Sequence, residues 1–112
     1  IVASPQDIST IVGESSQATA WALSAAFPNP FNPETQLEIV VGESGETRLD
    51  IYNALGQRLR TLLSDPALPT GHRLKIRWDG RDAAGRGVAS GVYVFVLEFP
   101  GGRQIRKGML LR

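Results

Sequence analysis

The chain has 112 residues, 42% hydrophobic and 21% charged, enough for one domain with a modest core and too apolar for wholesale disorder. It has no cysteine, which excludes disulfides, cysteine-based metal sites and a cysteine nucleophile, and no apolar run long enough to span a membrane as a helix. Net charge is +1, but residues 1–50 hold seven acids and one base while residues 51–112 hold eleven bases and four acids. Such asymmetry accompanies polyanion binding or arises when oppositely charged halves interleave as neighbouring strands, and interleaving is the expectation here.

The opening Ile-Val-Ala-Ser-Pro has neither an initiator methionine nor a signal peptide, so the chain reads as an excised module or processed fragment. Residues 1–20, rich in Ser, Thr, Ala and Gln, read as a linker or weakly ordered lead-in. Trp21–Ala26 is a candidate first edge strand. Residues 27–33, Phe-Pro-Asn-Pro-Phe-Asn-Pro, hold three of the seven prolines. Proline fixes φ, lacks an N–H and pushes the residue before it toward extended geometry, so this segment is a stiff, bent entry.

Beyond it, short strands alternate with turn signals. Leu37, Ile39 and Val41 alternate before a Gly42–Gly45 turn. Leu49 and Ile51 alternate with Asp50 and Tyr52, and Ala54–Gln57 is a tight turn with Gly56 available for positive φ. Gln57–Leu63 reads as a strand, with Asp65-Pro66 and Pro69–Gly71 as a loop. Leu74, Ile76 and Trp78 alternate with Arg73, Lys75 and Arg77, the cleanest period-2 signal in the chain. Asp79–Gly85 reads as a polar hairpin. Val92–Phe99 is apolar nearly throughout, as in a central strand covered on both faces. Gly101-Gly102 turns into a last strand, Ile105–Leu111, with Ile105, Met109 and Leu111 on one face. About seven strands at this spacing predict an all-β, seven-stranded, immunoglobulin-like antiparallel β-sandwich.

Catalytic chemistry has little to work with. His72 is the only histidine and sits at a strand entry, where a solvated role is expected. Asp79 and Asp82 suit capped turns, with calcium ligation as the alternative reading, although Arg81 breaks the EF-hand pattern. Gly85-Arg-Gly87 lacks the end of a phosphate-binding loop, and no Asn-x-Ser/Thr site occurs. Trp21, Tyr52, Trp78 and Tyr93 are the candidates for a sugar platform, with Trp78 and Tyr93 expected in the core. Arg58 and Arg60, then Arg73, Lys75 and Arg77, alternate away from apolar positions. They form a solvated face that resists aggregation or, if the two strands adjoin, a cationic docking patch. No aromatic-basic pattern supports nucleic-acid binding. Residues 103–112 carry four bases and no acid.

Four stretches in order carry a resemblance. Phe27–Pro33 resembles a Tyr-Pro-Asn-Pro-Phe opening, with Phe27 in place of tyrosine. Asp50–Gln57 (Asp-Ile-Tyr-Asn-Ala-Leu-Gly-Gln) resembles a strand-and-turn motif. Trp78–Tyr93 resembles a Trp-Asp-Gly hairpin followed by Ser-Gly-Val-Tyr, and Arg106-Lys107 with Leu110-Leu111-Arg112 resembles a basic-aliphatic finish. Together, over residues 21–112, they resemble the type A C-terminal sorting domain of type IX secretion. The Ig-like domain of flagellar hook-capping proteins has similar wording, and a finish flush at Leu111-Arg112 favours sorting.

The resemblance implies a non-catalytic module, with no cofactor and no metal, that directs a secreted cargo to the cell surface. Its implied partners are an outer-membrane translocon and a sortase-like peptidase, with anionic lipopolysaccharide as a possible acceptor. Neither nucleic acid nor membrane spanning is implied. The residues expected to contact partners are Pro28, Asn29, Pro30, Gly56, Lys107 and Arg112. Pro28, Pro30 and Gly56 also read as turn formers, which leaves Lys107 and Arg112 as the expected direct contacts. A carbohydrate-binding or adhesion/scaffold module is the alternative.

Overall fold

The computed structural model describes residues 20–112, so all but the last residue of the expected lead-in lies outside the described residues. The strands are β1 (Ala22–Leu23), β2 (Thr35–Val40), β3 (Gly45–Tyr52), β4 (Arg58–Leu68), β5 (Arg73–Trp78), β6 (Gly91–Phe99) and β7 (Gly102–Leu110). One antiparallel sheet has the order β1-β2-β5 and the other β4-β3-β6-β7, with no helix among the described residues. The two sheets bury their apolar faces against each other, as period-2 strands must.

Leu37 and Ile39 of β2 lie in register with Ile76 and Leu74 of β5. In the facing sheet, Leu49 and Ile51 of β3 lie in register with Leu97 and Phe95 of β6. All but the half-buried Leu74 and Ile76 are fully buried. Each large buried side chain contributes about 1.5–3 kcal/mol. Trp78 sits at the centre of this core. Its ring meets Phe31, Tyr93 and Phe95 edge-on at centroid distances of 5.8, 5.2 and 5.9 Å. Its indole N–H donates to the Arg81 carbonyl at 2.8 Å, so the buried polar atom is satisfied.

Phe31, from the proline segment, lies over β7. A side chain at Gly108 would place a carbon 3.0 Å from the Phe31 ring and 3.4 Å from the Phe95 ring. Gly108 is therefore the gap that admits Phe31 to the core.

The oppositely charged halves do interleave. Glu38 of β2 lies opposite Lys75 and pairs with Arg73 at 3.5 Å, while Glu34 pairs with Arg77 at 3.5 Å. Arg58 and Arg60 stand on β4, in the other sheet from Arg73, Lys75 and Arg77, so no ladder joins the two sets. Arg60 pairs with Asp79 at 3.0 Å. Asp50 points out of the core yet is buried, held by Arg48 at 3.0 Å and the Thr61 hydroxyl at 2.6 Å.

Three expectations need correction. The first edge strand is only Ala22–Leu23. At Ser24 the hydroxyl accepts the Glu38 N–H that a carbonyl would take in a ladder, and this interrupts the pairing. Second, β4 continues through Asp65-Pro66 where a loop was expected. It is an edge strand, and one extra residue between Asp65 and Leu68 relative to β3 forms a bulge that accommodates Pro66. Third, β6 is covered on one face only: Tyr93, Phe95 and Leu97 are buried, but Val92 is 38% exposed. Ile105, Met109 and Leu111 share a face as expected, and that face points outward; Ile105 is 45% and Met109 41% exposed. The inward residues of β7 include Gln104, Gly108 and Leu110, because Phe31 and β1 supply the bulk beneath that strand.

Gly108→Ala is expected to destabilise by about 1–3 kcal/mol through overpacking against Phe31. Leu55→Ala, at an 83% exposed side chain, is expected to change stability by less than about 0.5 kcal/mol. Urea unfolding monitored by tryptophan fluorescence measures both.

Candidate functional site

The proline segment and the last strand meet although they lie some 80 residues apart. Phe31 N–H donates to the Met109 carbonyl, and Leu111 N–H donates to the Phe31 carbonyl, both at 2.9 Å. Met109 N–H donates to Asn29 Oδ1 at 2.9 Å. Residues 29–31 thus act as a stub of strand, parallel to β7, that seals the sheet edge at Met109–Leu111. Pro28 and Pro30 have no N–H to continue a ladder, so the stub ends with itself.

Beside this seam lies a shallow groove of about 370 Å³ lined by Asn29, Pro30, Val92, Lys107, Gly108 and Met109. Three of the expected contact residues, Asn29, Pro30 and Lys107, come together here. Lys107 is exposed and forms no ion pair with a described residue. Val92 and Met109, opposite each other across β6 and β7, supply an exposed apolar floor that the sequence reading missed. The available signal was Gly108: a glycine inside an apolar strand marks a close approach, and it assigns Met109 to the opposite face.

The other three expected residues lie elsewhere. The Pro28 carbonyl accepts the Thr35 hydroxyl at 2.8 Å, and Pro28 lines a separate groove with Phe27, Gln36 and Arg77. Gly56 has φ +82° in the β3–β4 turn and donates its N–H to the Asn53 carbonyl at 3.0 Å. Asn53 Oδ1 also accepts the N–H groups of Leu55 and Gln57, so the side chain holds the whole turn.

Arg112 has an internal task. Its guanidinium donates to the carbonyls of Val88 and Gly80, and its backbone N–H donates to the Ser90 hydroxyl. A side chain at Gly80 or Gly87 would come within 3.0 Å of that guanidinium. The Asp79–Ser90 loop is therefore latched to the end of β7.

Both loop carboxylates are engaged by turns. Asp79 Oδ1 accepts the Arg81 N–H at 3.1 Å and pairs with Arg60. Asp82 Oδ1 accepts the N–H groups of Ala84 and Arg86, each at 3.0 Å. Of the four candidate platform aromatics, Trp78 and Tyr93 are in the core. Trp21 stacks on Phe99 with ring centroids 4.7 Å apart, and Tyr52 stands on the outer face of β3.

By sequence, no protein-family model and no curated protein matches the chain. Solved structures do. Dimeric latent PorU from Porphyromonas gingivalis matches with a TM-score of 0.59 at 21% identity, over 82% of this chain and 9% of that one. FlgD from P. aeruginosa matches with a TM-score of 0.55 at 16% identity, over 86% of this chain and 74% of that one. PorZ of P. gingivalis, an essential surface component of the type-IX secretion system, matches with a TM-score of 0.48 at 22% identity, over 90% of this chain and 13% of that one. The chain therefore spans a small part of PorU and PorZ. At these identities the matches to PorU and FlgD show a shared all-β fold.

The Arg86 backbone N–H holds the Asp82 carboxyl below its ordinary pKa of 3.8, against the opposing effect of burial. A depressed folded pKa means that the stabilisation is present above the unfolded value and is lost as pH falls through the folded one. An NMR pH titration of the Ala84 and Arg86 amides is expected to give a midpoint below 3.8. A midpoint at or above that value would contradict the turn geometry.

Proposed function

We propose that this chain is a non-catalytic, immunoglobulin-like sorting module that directs a secreted cargo through type IX secretion to the cell surface. Support for the Ig-like topology comes from the three-plus-four sheet arrangement. It also comes from Tyr93 at the start of β6, whose hydroxyl donates to the Ala89 carbonyl at 2.6 Å in the manner of a tyrosine corner. One observation carries the functional reading: four motif-like stretches resemble the sorting family in order, and three of them converge at the last strand. Phe31 and Tyr93 meet Trp78 edge-on within the core, while Gly108 and Arg112 fit against Phe31 and the Asp79–Ser90 loop. Fold likeness to part of PorU supports the same reading.

In this proposal the clasp between residues 29–31 and β7 holds the recognition surface, and partner contact falls on Lys107 and the neighbouring Pro30, Val92 and Met109. Pro28, Gly56 and Arg112 act by shaping the fold around that surface. The partners are components of an outer-membrane translocon and a sortase-like peptidase, with an anionic surface glycolipid as the acceptor.

Fusion of residues 1–112 behind a periplasmically targeted reporter in a type IX host tests this reading. Export to the cell surface is expected, and deletion of residues 103–112 is expected to abolish it. A reporter that stays in the periplasm, or export that survives the deletion, would sink the sorting role. Retention on insoluble polysaccharide that Trp21→Ala weakens would instead identify a carbohydrate-binding module.

A further inference from the structure

The order β4-β3-β6-β7 leaves β7 at a sheet edge. Met109 turns its N–H and C=O away from β6, toward Asn29 and Phe31. Backbone direction alternates in an antiparallel ladder, and the β6–β7 register runs unbroken from Gly102 to Leu110. Arg103, Ile105 and Lys107 therefore present their backbone groups to the same open side as Met109. Among the described residues, the only hydrogen-bond partner on that row is Arg106, which donates to the Ile105 carbonyl. The stub at residues 29–31 seals the row at Met109, and the backbone groups of Arg103, Ile105 and Lys107 make no ladder bond beyond β6, although β1 packs beneath this length of strand, bridged by the Gln104 side chain.

That edge is also chemically marked. Ile105 is 45% exposed at its centre. Arg103 and Lys107 flank it on the same face, and Arg106 lies between them on the other. β7 itself holds no acid, and Glu98 of β6 lies in register with Arg103, whereas Lys107 lies in register with Val94. Unpaired edges recruit strands, and charge decides which strand is admitted.

We propose that the open edge of β7, Arg103–Lys107, is a strand-addition site for an extended acidic segment of a partner protein. The segment lies antiparallel to β7. It places an apolar residue against Ile105 and acids two positions to either side, against Arg103 and Lys107. A second copy of this chain is the wrong occupant. Antiparallel pairing of two β7 edges about Ile105 sets Arg103 of each copy opposite Lys107 of the other, and like charges directly opposed are destabilising. This inference rests on the open edge and its charge, and goes beyond the sorting reading: it holds for any extracellular partner.

The test uses isotope-labelled full chain and two synthetic peptides, Thr-Glu-Thr-Val-Thr-Glu-Thr and Thr-Lys-Thr-Val-Thr-Lys-Thr. In the free chain, the amides of Arg103, Ile105 and Lys107 are expected to exchange quickly with solvent. Saturating Glu peptide is expected to shift and protect those three amides. The Lys peptide is expected to bind about tenfold more weakly or worse, because two exposed charge pairs change from attraction to repulsion. The double variant R103E/K107E is expected to reverse the preference. Ile105→Pro removes one edge N–H at a position where sheets tolerate proline, and is expected to abolish binding of either peptide. Protection of these amides in the free chain, equal binding of both peptides, or self-association through this edge overturns the proposal. A failed export assay leaves the peptide result untouched, so the two readings fail separately.

Discussion

The structure depends on one packing constraint: the Phe31 ring must lie over Gly108. That contact brings the proline segment, which precedes the first long strand, against the strand that ends the chain. Phe31 then meets Trp78 edge-on, and Trp78 meets Tyr93 and Phe95. Two sheets that share no ladder are joined through this aromatic cluster. Any carbon on residue 108 would press on Phe31, so a residue with no side chain determines how the aromatic cluster closes.

The hydrogen bonds around Phe31 do a second job. A sandwich with β7 at its edge exposes a row of unpaired backbone groups, and such rows invite aggregation. Asn29 and Phe31 satisfy the row at Met109 and Leu111. The flanking prolines prevent the stub from templating a further strand. Arg112 then fastens the Asp79–Ser90 loop across the other side of the strand end. Much of the motif wording is thus consumed in building the fold. What remains at the surface includes a short basic length of β7 with exposed Ile105 and Met109, beside Val92 of β6, and the exposed side chains of Phe27, Leu55 and Leu111.

Strands that face the core with a regular pattern were legible in the sequence. Leu74, Ile76 and Trp78 form β5 as their alternation requires, and Asn53 with Gly56 forms the expected turn. Trp78 and Tyr93 were legible as core for the same reason. Positions where another segment supplies the packing were not legible. The inward positions of β7 include Gln104, Gly108 and Leu110, because Phe31 and β1 supply the bulk beneath that strand. Gln104 is half-buried because it bridges to β1, donating to the Trp21 carbonyl and accepting the Leu23 N–H. β4 ran past Pro66 because a bulge at a sheet edge tolerates what a central ladder does not. Of the six expected contact residues, Asn29, Pro30 and Lys107 converge. Their convergence depends on an 80-residue closure that local patterns do not encode.

Native-state hydrogen exchange at Phe31 and Leu111 tests the clasp most directly. If the clasp is integral to the fold, both amides exchange only through global unfolding, with the same denaturant dependence as Leu97 in the core. Exchange of Phe31 and Leu111 through local opening, while Leu97 stays protected, would contradict the account.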